Sequence, residues 1–511
     1  MEEADRPSIV VANKGLLTIA LMTAVIMQVL DSTIANVALP HMQASLGATQ
    51  DSINWILTSY IVASTIAIPL SGWLSDRWGV RGLFLLSVFL FVAASVLCGI
   101  ATSLPMMVAM RILQGIGGAF LGPLGQAIML DINRPSEHGR AMSLYGMGVM
   151  IGPITGPVLG GWLTENFDWR WVFFINLPIG ILCFIALWFL MPRVRNAPRH
   201  FDLPGWALIA LALGALQLML DRGEHVDWFN STETWLEAGV ALAAAWMFVT
   251  HMLTAKAPIF ARRVVADRNL MVGCLFMFML GVVQMSGMAL IPSLLQTLLG
   301  YPVLDTGILL ATRGVGVMLS MAIAGMILHL LEPRLLLAAG FLIIDVSLWM
   351  MTDFSLEMDR WPVLISGIVQ GLGIGFIFVP LNVLSFATLP ARFRTDGAGL
   401  FTLFRNTGAS IGIAVATLML ARNIQVSHAD LAAHVTPYNF SVDPTLLSAA
   451  GTAGQSIAAM IDAEVNRQAA MIAYLDDFYL MMLASLATLP MLLIVRRSTQ
   501  RVGGSGHIAM E

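Results

Sequence analysis

The chain has 511 residues, and 58% of them are hydrophobic while only 11% are charged. Soluble domains carry about 25% charged residues, so this composition excludes a soluble enzyme and predicts an all-helical protein with many membrane spans. The formal net charge of −4 is small, and nothing in it indicates a nucleic-acid partner.

Apolar stretches long enough to cross a bilayer recur along the chain, because a transmembrane helix needs about 20 mostly apolar residues. Fourteen stretches qualify: residues 15–38, 53–74, 82–101, 106–130, 141–163, 171–191, 203–220, 235–254, 270–292, 306–330, 334–352, 361–388, 398–421 and 477–495. Lysine and arginine concentrate in alternate loops, and cytoplasmic loops carry the excess of these residues in membrane proteins. We therefore predict fourteen transmembrane helices with both termini in the cytoplasm (N-in/C-in).

A sequence repeat divides the chain into two halves. Residues 114–120 resemble residues 370–376, and each copy is followed by a basic loop and a glycine-containing span. Many transporters build two halves around a central site from such repeats. We predict three parts: an N-terminal six-helix bundle at 1–200, two inserted linker helices at 201–268, and a C-terminal six-helix bundle at 269–511.

The segment 422–476 separates the last two predicted spans. It is long for a loop, since loops of more than about 15 residues are uncommon. We expect it on the periplasmic side. It either forms one or two helices outside the membrane, with a helix start at residues 443–444, or is a flexible connector.

Two charged residues stand inside otherwise apolar spans of the first half. Asp31 follows an uncharged stretch, and an acidic group there costs about 2.5–3.5 kcal/mol on insertion. Arg111 in the fourth span needs a partner or a water-filled cavity, and Asp31 is a candidate partner. A carboxyl group that alternated between this ion pair and an apolar environment would bind and release a proton.

Asp345 is a second acidic residue within a span. Three roles stay open for it: a second proton site, a contact for cationic substrates, or a structural pairing. No recurring motif surrounds this residue, so the sequence does not choose among the three roles.

The fifth span carries a regular pattern of glycine. Its glycines recur every four residues, at Gly148, Gly152, Gly156 and Gly160. Residues at this spacing line one helix face, and small residues there permit close helix packing. Pro153 and Pro157 remove backbone donors and favour a bend. The pattern predicts either a kinked hinge that blocks ion leak or simple helix packing.

Several motifs together resemble those of the major facilitator superfamily. They are the loop G-x-L-x-D-R-x-G-x-R at 72–81, R-x-x-Q-G at 111–115, the glycine and proline pattern at 148–161, and segments at 30–40, 169–180 and 405–412. The segment 30–40 is similar to the first-helix motif of the fourteen-span drug:proton antiporters. The combination most resembles the EmrB-type multidrug efflux permeases, and it implies the major facilitator fold.

The resemblance implies a secondary active transporter that exports amphipathic toxic compounds or drugs in exchange for protons by alternating access. It implies proton coupling by Asp31 and Arg111, with Asp345 as a further candidate; a cavity with Asn36, Gln114, Arg405 and Asn406; a gating loop with Gly72, Asp76, Arg77, Gly79 and Arg81; and an antiporter hinge with Gly148, Gly152, Pro153, Gly156, Pro157 and Gly160. In such transporters the arginine faces the central cavity. The gating loop forms a charge cluster that holds the outward-open state.

The resemblance also implies the inner membrane of a Gram-negative bacterium, with lipid, protons and small amphipathic substrates as partners. An EmrA-type periplasmic adaptor and an outer-membrane channel are further expected partners, and the segment 422–476 is the expected docking surface. We expect no cofactor and no enzymatic activity, because the sequence has no P-loop and no His/Cys cluster with metal-ligand spacing. The proton gradient is the expected energy source.

Two other interpretations stay open. A dedicated exporter of a single metabolite, siderophore or lipid would use the same mechanism. A membrane scaffold or receptor that transports nothing belongs to a different class. The intramembrane Asp31 and Arg111, together with the glycine pattern, argue against this second alternative.

Overall fold

In a computed structural model, the chain is built from helices over the residues described, which are 5–193, 199–223, 226, 228–434 and 451–493. Fourteen helices in this part are long and apolar enough to cross a membrane. In chain order they are α1 (Lys14–Leu46), α2 (Trp55–Trp78), α3 (Val80–Gly99), α4 (Leu104–Asp131), α5 (Pro135–Asn166), α6 (Trp171–Leu190), α7 (Leu203–Arg222), α8 (Thr232–Thr254), α9 (Arg268–Leu298), α10 (Asp305–Ile327), α11 (Pro333–Met351), α12 (Trp361–Phe386), α13 (Ala391–His434) and α14 (Ala459–Leu493). The prediction of fourteen transmembrane helices is confirmed.

Local sequence explains where several of these helices begin and end. Gly79 alone separates α2 from α3, and its φ of 78° is a backbone conformation that glycine adopts without strain. The side chains of Asp202 and Asp267 accept hydrogen bonds from the backbone N–H groups of Gly205 and Leu270. These bonds satisfy the free donors at the starts of α7 and α9.

The same helix packing occurs once in each half. The repeat aligns residue 114 with residue 370, and therefore Gly152 with Gly408. A methyl group built on Gly152 of α5 would lie 2.7 Å from the Val29 side chain of α1. One built on Gly408 of α13 would lie 2.1 Å from the carbonyl oxygen of Phe278 in α9. Glycine thus permits close contact of α1 with α5 and of α9 with α13.

The two halves meet along α5 and α10 and again between α4 and α12. The Ser143 hydroxyl donates a hydrogen bond of 2.6 Å to the carbonyl oxygen of Met321. The Gln126 amide donates a hydrogen bond to Asn382. Because Gln126 and Asn382 occupy equivalent positions of the repeat, the pseudo-two-fold axis between the halves passes close to this bond.

Of the two inserted helices, α7 contacts both halves. The Trp206 indole donates a hydrogen bond of 3.2 Å to the carbonyl oxygen of Ile66 in α2, and the Ser410 hydroxyl of α13 donates one of 2.8 Å to Gln217 of α7. α8 lies at the outside, where the Trp246 side chain is 72% exposed. The division of the chain into three parts stays a prediction.

The last two spans are longer than the sequence predicted. α13 continues as a helix to His434, and the helix that includes α14 begins at Gly451. Most of the segment 422–476 is therefore a continuation of two membrane helices. The helix start expected at residues 443–444 lies outside the described residues.

Successive spans run in opposite directions, so their connections lie at two ends of the molecule. We call the end that carries Lys14, where α1 begins, the N-terminal face, and the other end the opposite face. An ion pair of 2.6 Å joins Lys14 to Glu137 at the start of α5, on the N-terminal face. The assignment of this face to the cytoplasm stays a prediction from the distribution of basic residues.

Candidate functional site

Asp31 and Arg111 form an ion pair inside the first half. The Arg111 Nη1 atom lies 2.7 Å from the Asp31 Oδ2 atom, and both side chains are completely buried. Removing one member of such a pair costs about 3–5 kcal/mol, because the other charge stays buried without a partner. The structure thus brings together the two residues that the sequence suggested as partners.

Neighbouring polar groups form hydrogen bonds with both members of this pair. The side-chain amides of Gln114 and Asn176 each donate a hydrogen bond of 2.8 Å to Asp31 Oδ1. Arg111 donates from Nε to the carbonyl oxygen of Ile56 at 3.1 Å, and from Nη1 to Gln114 Oε1 at 2.8 Å. Both oxygens of the Asp31 side chain therefore accept hydrogen bonds within this network.

The network lies in the core of the first six helices. Arg111 and Gln114 are three residues apart, so they project from one face of α4. The Tyr60 ring covers the guanidinium, with 4.4 Å between Arg111 Cζ and the ring centroid. The resemblance placed Arg111 and Gln114 in the central cavity. The structure instead buries both side chains within the first half, because Asp31, their common partner, points into that bundle.

Asn176 is the member of the network that the sequence did not single out as a site residue. Its side chain is fully buried, and it donates a second hydrogen bond, of 2.9 Å, to Ser95 Oγ. An amide in an otherwise strongly apolar span was the available signal.

The predicted hinge lies against α1, the helix that carries Asp31. Its glycines, which all approach α1, are Gly148, Gly152, Gly156 and Gly160. A methyl group built on Gly156 would lie 2.1 Å from Thr33 Oγ1. α5 remains one helix through Pro153 and Pro157. A movement of α1 around Asp31 would therefore meet α5 directly, whereas the hinge role itself stays a prediction.

A small polar cavity of about 50 Å³ lies between the two halves. Its polar lining consists of Gln28, Gln126, Tyr145, Thr402 and Arg405. Arg405 is thus the one predicted cavity residue that borders this space, and Asn406 beside it is half-buried. Asn36 is exposed and stands eight residues after Gln28, on the same face of α1.

An ion-pair cluster joins the two halves at the N-terminal face. Arg199 donates from Nε to Asp76 of the first half, and its Nη1 lies 3.0 Å from Asp396 Oδ2 of the second half. Burial by itself would lower the pKa of the Arg199 guanidinium, but the charges of Asp396 and Asp76 and their hydrogen bonds outweigh burial and raise it. We call Asp76, Arg199 and Asp396 the latch.

Gly72 makes the latch possible. A methyl group built on this glycine would lie 1.5 Å from Asp396 Oδ1 and 3.1 Å from Arg199 Nη2. Any larger residue at this position would displace the Asp396 carboxylate. The motif glycine of the gating loop thus has a specific steric role here.

The latch takes its positive charge from a residue that the motif did not indicate. The predicted gating cluster drew on Arg77 and Arg81. Arg77 is exposed, and Arg81 lies over the Trp188 ring, with 5.5 Å from Cζ to the centroid. Arg199 takes the central place because its carbonyl oxygen accepts a hydrogen bond of 3.1 Å from the Trp73 indole, which holds this segment against α2.

A second ion pair also joins the halves at the N-terminal face, where Arg394 Nη1 lies 2.6 Å from Asp131 Oδ1. Ion pairs found towards the opposite face are Arg170–Asp168, Arg222–Glu233, His428–Asp462 and Arg467–Glu464. None of these connects the first six spans to the last six. Within the described part of the chain, charge therefore joins the halves at the N-terminal face alone.

The apolar core shows the same asymmetry. Buried side chains near the opposite face of the first half, among them Ile34, Met42 and Leu163, form a cluster that contains no residue of the second half. The large cluster draws on both halves: its side chains from the first half, such as Leu21 and Tyr145, lie nearer the N-terminal face, whereas those from the second half reach the opposite face at Leu295. The contact between the halves is thus concentrated at the N-terminal face.

Two acidic residues are buried in spans of the second half. Asp345 of α11 faces the Ser485 side chain. Asp477 of α14 is 1% exposed, and neither of its carboxylate oxygens has a hydrogen-bond partner among the described residues. The sequence did not single out Asp477, because it stands at the edge of the predicted last span.

The residues that the structure describes contain no candidate metal site, because no three His, Cys, Asp or Glu side chains lie close enough together to hold an ion. The free cysteines Cys98, Cys183 and Cys274 are each buried.

The chain matches a known family and several of its curated members. A family model described as Major Facilitator Superfamily matches residues 21–413. The chain is 36% identical over 427 residues to the "Multidrug export protein EmrB" of Haemophilus influenzae, covering 83% of this chain and 84% of that protein. It is 32% identical over 507 residues to the "Fatty acid resistance protein FarB" of Neisseria gonorrhoeae, covering 98% of this chain and 100% of that protein.

A solved structure has a similar fold at low sequence identity. The human organic anion transporter MFSD10 (TETRAN) superposes with a TM-score of 0.60 at 14% identity, covering 92% of this chain and 99% of that one. This similarity shows the fold alone.

Proposed function

The chain belongs to the Major Facilitator Superfamily, and from this premise we propose that it exports amphipathic toxic compounds in exchange for protons by alternating access. The observation that carries the proposal is the fully buried pair of Asp31 and Arg111. A charged group at this depth is costly, and a proton carrier needs a titratable group that water reaches only in certain states. The multidrug export relatives support the choice of cargo.

Asp31 is the group that we propose to carry the proton. Protonation removes its charge and leaves Arg111 buried without a counter-charge, which is unfavourable by several kcal/mol (about 3–5). The first half must then rearrange around the uncompensated guanidinium. Return of Asp31 to its network favours release of the proton, because the hydrogen bonds from Gln114 and Asn176 stabilise the carboxylate.

The helix packing offers a route from Asp31 to the second half. Thr33, two residues further along α1, donates a hydrogen bond of 3.3 Å to the carbonyl oxygen of Gly152 in α5. α5 in turn contacts α10 through Ser143 and Met321. A displacement of α1 therefore acts on a helix that borders both halves.

The latch would control access from one side. If the N-terminal face is cytoplasmic, as the basic residues predict, the latch joins the halves on the cytoplasmic side in the present structure. Loading of substrate then requires the latch of Asp76, Arg199 and Asp396 to open. The Arg199 side chain is 20% exposed, although Asp76 and Asp396 are only 2% and 3% exposed, and charges that regain water on separation can part in every cycle.

The proton gradient is a sufficient energy source. One charge that crosses 100 mV gains about 2.3 kcal/mol, and each 1.4 kcal/mol corresponds to about a tenfold concentration ratio. A single proton per cycle can therefore sustain a roughly fortyfold gradient of a neutral compound at 100 mV.

The extensions of α13 and α14 are the surface that we propose for an adaptor of the EmrA type, which would lead to an outer-membrane channel. They leave the opposite face as a helical pair, in which His428 Nε2 lies 3.1 Å from Asp462 Oδ1. Removal of residues 430–465 should abolish adaptor binding in pull-down experiments while leaving the spans in the membrane. Unchanged adaptor binding and whole-cell efflux would remove this surface from consideration. The inner membrane of a Gram-negative bacterium is the location that such a partner implies.

A dedicated exporter of a single metabolite, siderophore or lipid is the second candidate. The similarity to a relative described as a fatty acid resistance protein favours it. A susceptibility panel in a pump-deficient host distinguishes the two. Resistance to several unrelated compounds supports the multidrug proposal, whereas resistance to one chemical class supports the dedicated exporter.

The decisive test of proton coupling uses Asp31→Asn, which keeps the size of the side chain and removes the titratable proton. In proteoliposomes with a pH gradient, substrate addition should release protons with the wild type and not with Asp31→Asn. Asp353→Asn, at an exposed loop position, serves as the matched control and should behave as the wild type. Normal proton-driven transport by Asp31→Asn would refute the proposal.

A further inference from the structure

The second half contains a buried guanidinium that has no counter-ion. The Arg313 side chain of α10 is only 8% exposed, and no carboxylate of the described residues forms an ion pair with it. Its Nη2 donates one long hydrogen bond, of 3.3 Å, to the carbonyl oxygen of Gln284, and its Nη1 has no partner. An unpaired charge in an apolar interior is strongly unfavourable, and the described residues offer Arg313 no carboxylate to offset it.

A second polar side chain lies unused beside it. Gln370 of α12 is 1% exposed, and neither its amide nitrogen nor its amide oxygen has a partner among the described residues. A methyl group built on Gly287 of α9 would lie 3.6 Å from Arg313 Nη1 and 3.8 Å from Gln370 Nε2. The two unpaired donors therefore border the space that glycine leaves free at position 287.

The first half shows what such donors bind. There Arg111 and Gln114 both donate to Asp31. The repeat retains the glutamine, since Gln114 aligns with Gln370, but it aligns Arg111 with Gly367. In the second half the guanidinium comes from α10 instead of α12, and no acidic residue of the described part of the chain forms an ion pair with it. The donors of a carboxylate site are present, and no described residue supplies the carboxylate.

We propose that Arg313 and Gln370 bind the carboxylate of an anionic amphipathic substrate. This inference rests on the proposed export function and names a substrate class for it. A guanidinium binds a carboxylate through two parallel N–H bonds, and the Gln370 amide adds a third donor. A neutral compound leaves Arg313 unpaired, and a cationic compound is repelled, so the site selects anions.

The site lies next to the contact between α10 of the second half and α5 of the first half. Gly314, the residue after Arg313, faces α5, and a methyl group built on it would lie 2.1 Å from Ile154 Cδ1. Rocking of the halves therefore moves α10 at this point. In the present form the Arg313 side chain is 8% exposed, and we expect a movement of α10 against α5 to change its access.

The test measures equilibrium binding of three probes of one shape to the full-length protein in nanodiscs. The probes are 1-naphthoate, its neutral analogue 1-naphthamide, and the cation 1-naphthylmethylammonium. The wild type should bind the carboxylate about tenfold more tightly than the amide, a ratio that corresponds to about 1.4 kcal/mol. Arg313→Gln should abolish that preference and leave the affinity for the amide unchanged. Arg360→Gln, at an exposed loop position, should keep the preference.

A second variant tests the same space without removing the charge. Gly287→Val fills the position between the donors and should also abolish the carboxylate preference. If Arg313→Gln does not give a monodisperse protein in gel filtration, the carboxylate preference of Gly287→Val tests the proposal instead. Retention of the preference by Gly287→Val and Arg313→Gln would overturn the proposal. An equal loss of affinity for all three probes in Arg313→Gln would also overturn it, because that result indicates a structural role.

The result is independent of the proton test. Loss of the carboxylate preference in Arg313→Gln together with normal proton-driven transport by Asp31→Asn would keep the anion site and reject proton coupling through Asp31. Loss of proton release in Asp31→Asn together with an unchanged preference in Arg313→Gln would do the reverse. The two experiments therefore test the anion site and proton coupling through Asp31 independently of each other.

Discussion

The molecule contains two charge clusters built from similar residues and placed in different surroundings. The Asp31–Arg111 network lies wholly inside one bundle, and both side chains are completely buried. The latch lies between the two bundles, and its Arg199 side chain is 20% exposed. The first cluster is surrounded by its own half on every side, whereas the second can separate as a whole when the halves part.

This difference in surroundings sets the energy of each cluster. Breaking a fully buried pair leaves a desolvated charge, whereas charges that separate near the surface regain water. The buried network is therefore suited to couple a proton to a large rearrangement. The latch is suited to bias the position of the halves by a small amount.

Among substitutions in the two clusters, Arg111→Leu should cause the largest loss of stability. It leaves the Asp31 carboxylate buried without a counter-charge, which costs about 3–5 kcal/mol. Thermal unfolding in detergent should show the loss. The double variant Arg111→Leu with Asp31→Leu should recover much of the stability and still not transport. Equal stability of the single variant and the wild type would show that the pair is not desolvated as described.

Asn176→Leu should have the next largest effect. It removes one hydrogen bond to the Asp31 carboxylate, and a hydrogen bond to a charged group is worth about 1.5–3 kcal/mol. Because the carboxylate loses a donor, thermal unfolding in detergent should occur at a lower temperature than in the wild type. Equal thermal stability of the variant and the wild type would contradict this account.

Asp396→Asn should have a moderate effect, confined to the position of the halves. It removes one of two carboxylates that hold Arg199, and a loss of about 1–2 kcal/mol changes a two-state ratio by about 5- to 30-fold. Spin labels at the exposed positions 77 and 392 should report more of the form that is open at the N-terminal face. An unchanged distance distribution would show that the latch does not hold the halves.

Gly72→Ala should reproduce that shift without removing any charge. The added methyl group would meet the Asp396 carboxylate at 1.5 Å, and the carboxylate must move away from Arg199. Gly82→Ala is the matched control, because a methyl group there meets nothing closer than 3.9 Å. The same label pair should distinguish the two alanine variants, and identical distances in both would argue against a steric role for Gly72.

Lys14→Gln should have the smallest effect. The Lys14–Glu137 pair is exposed on both sides, and such pairs contribute about 0–1 kcal/mol. Its loss should leave thermal unfolding and transport close to wild type. A large loss of either would mean that this end of α1 contributes to the latch.

The sequence was sufficient to predict the membrane spans and, within the buried network, the pair of Asp31 and Arg111. Apolar length predicts a helix without knowledge of its neighbours, and the cost of a charge in lipid pointed to Asp31 and Arg111. Asn176 was not predicted as a site residue, because an uncharged amide gives a weaker signal than a charge.

Other site residues depend on tertiary contacts that no local pattern encodes. Arg199 reaches the latch only because the chain after α6 returns to α2, where the Trp73 indole holds its carbonyl oxygen. The motif named Arg77 and Arg81 from the same loop instead. Gln114 was expected in the cavity, but the orientation of α4 turns it to Asp31.

The hydrogen bond between Gln126 and Asn382 bears on the ancestry of the chain. When a gene is duplicated in tandem, a residue on the symmetry axis comes to face its own copy. Two like charges would repel each other there, whereas an amide carries both a donor and an acceptor and can bond to a second amide. An amide at this position could therefore be inherited by both copies without conflict, and glutamine and asparagine could replace each other afterwards without loss of the bond.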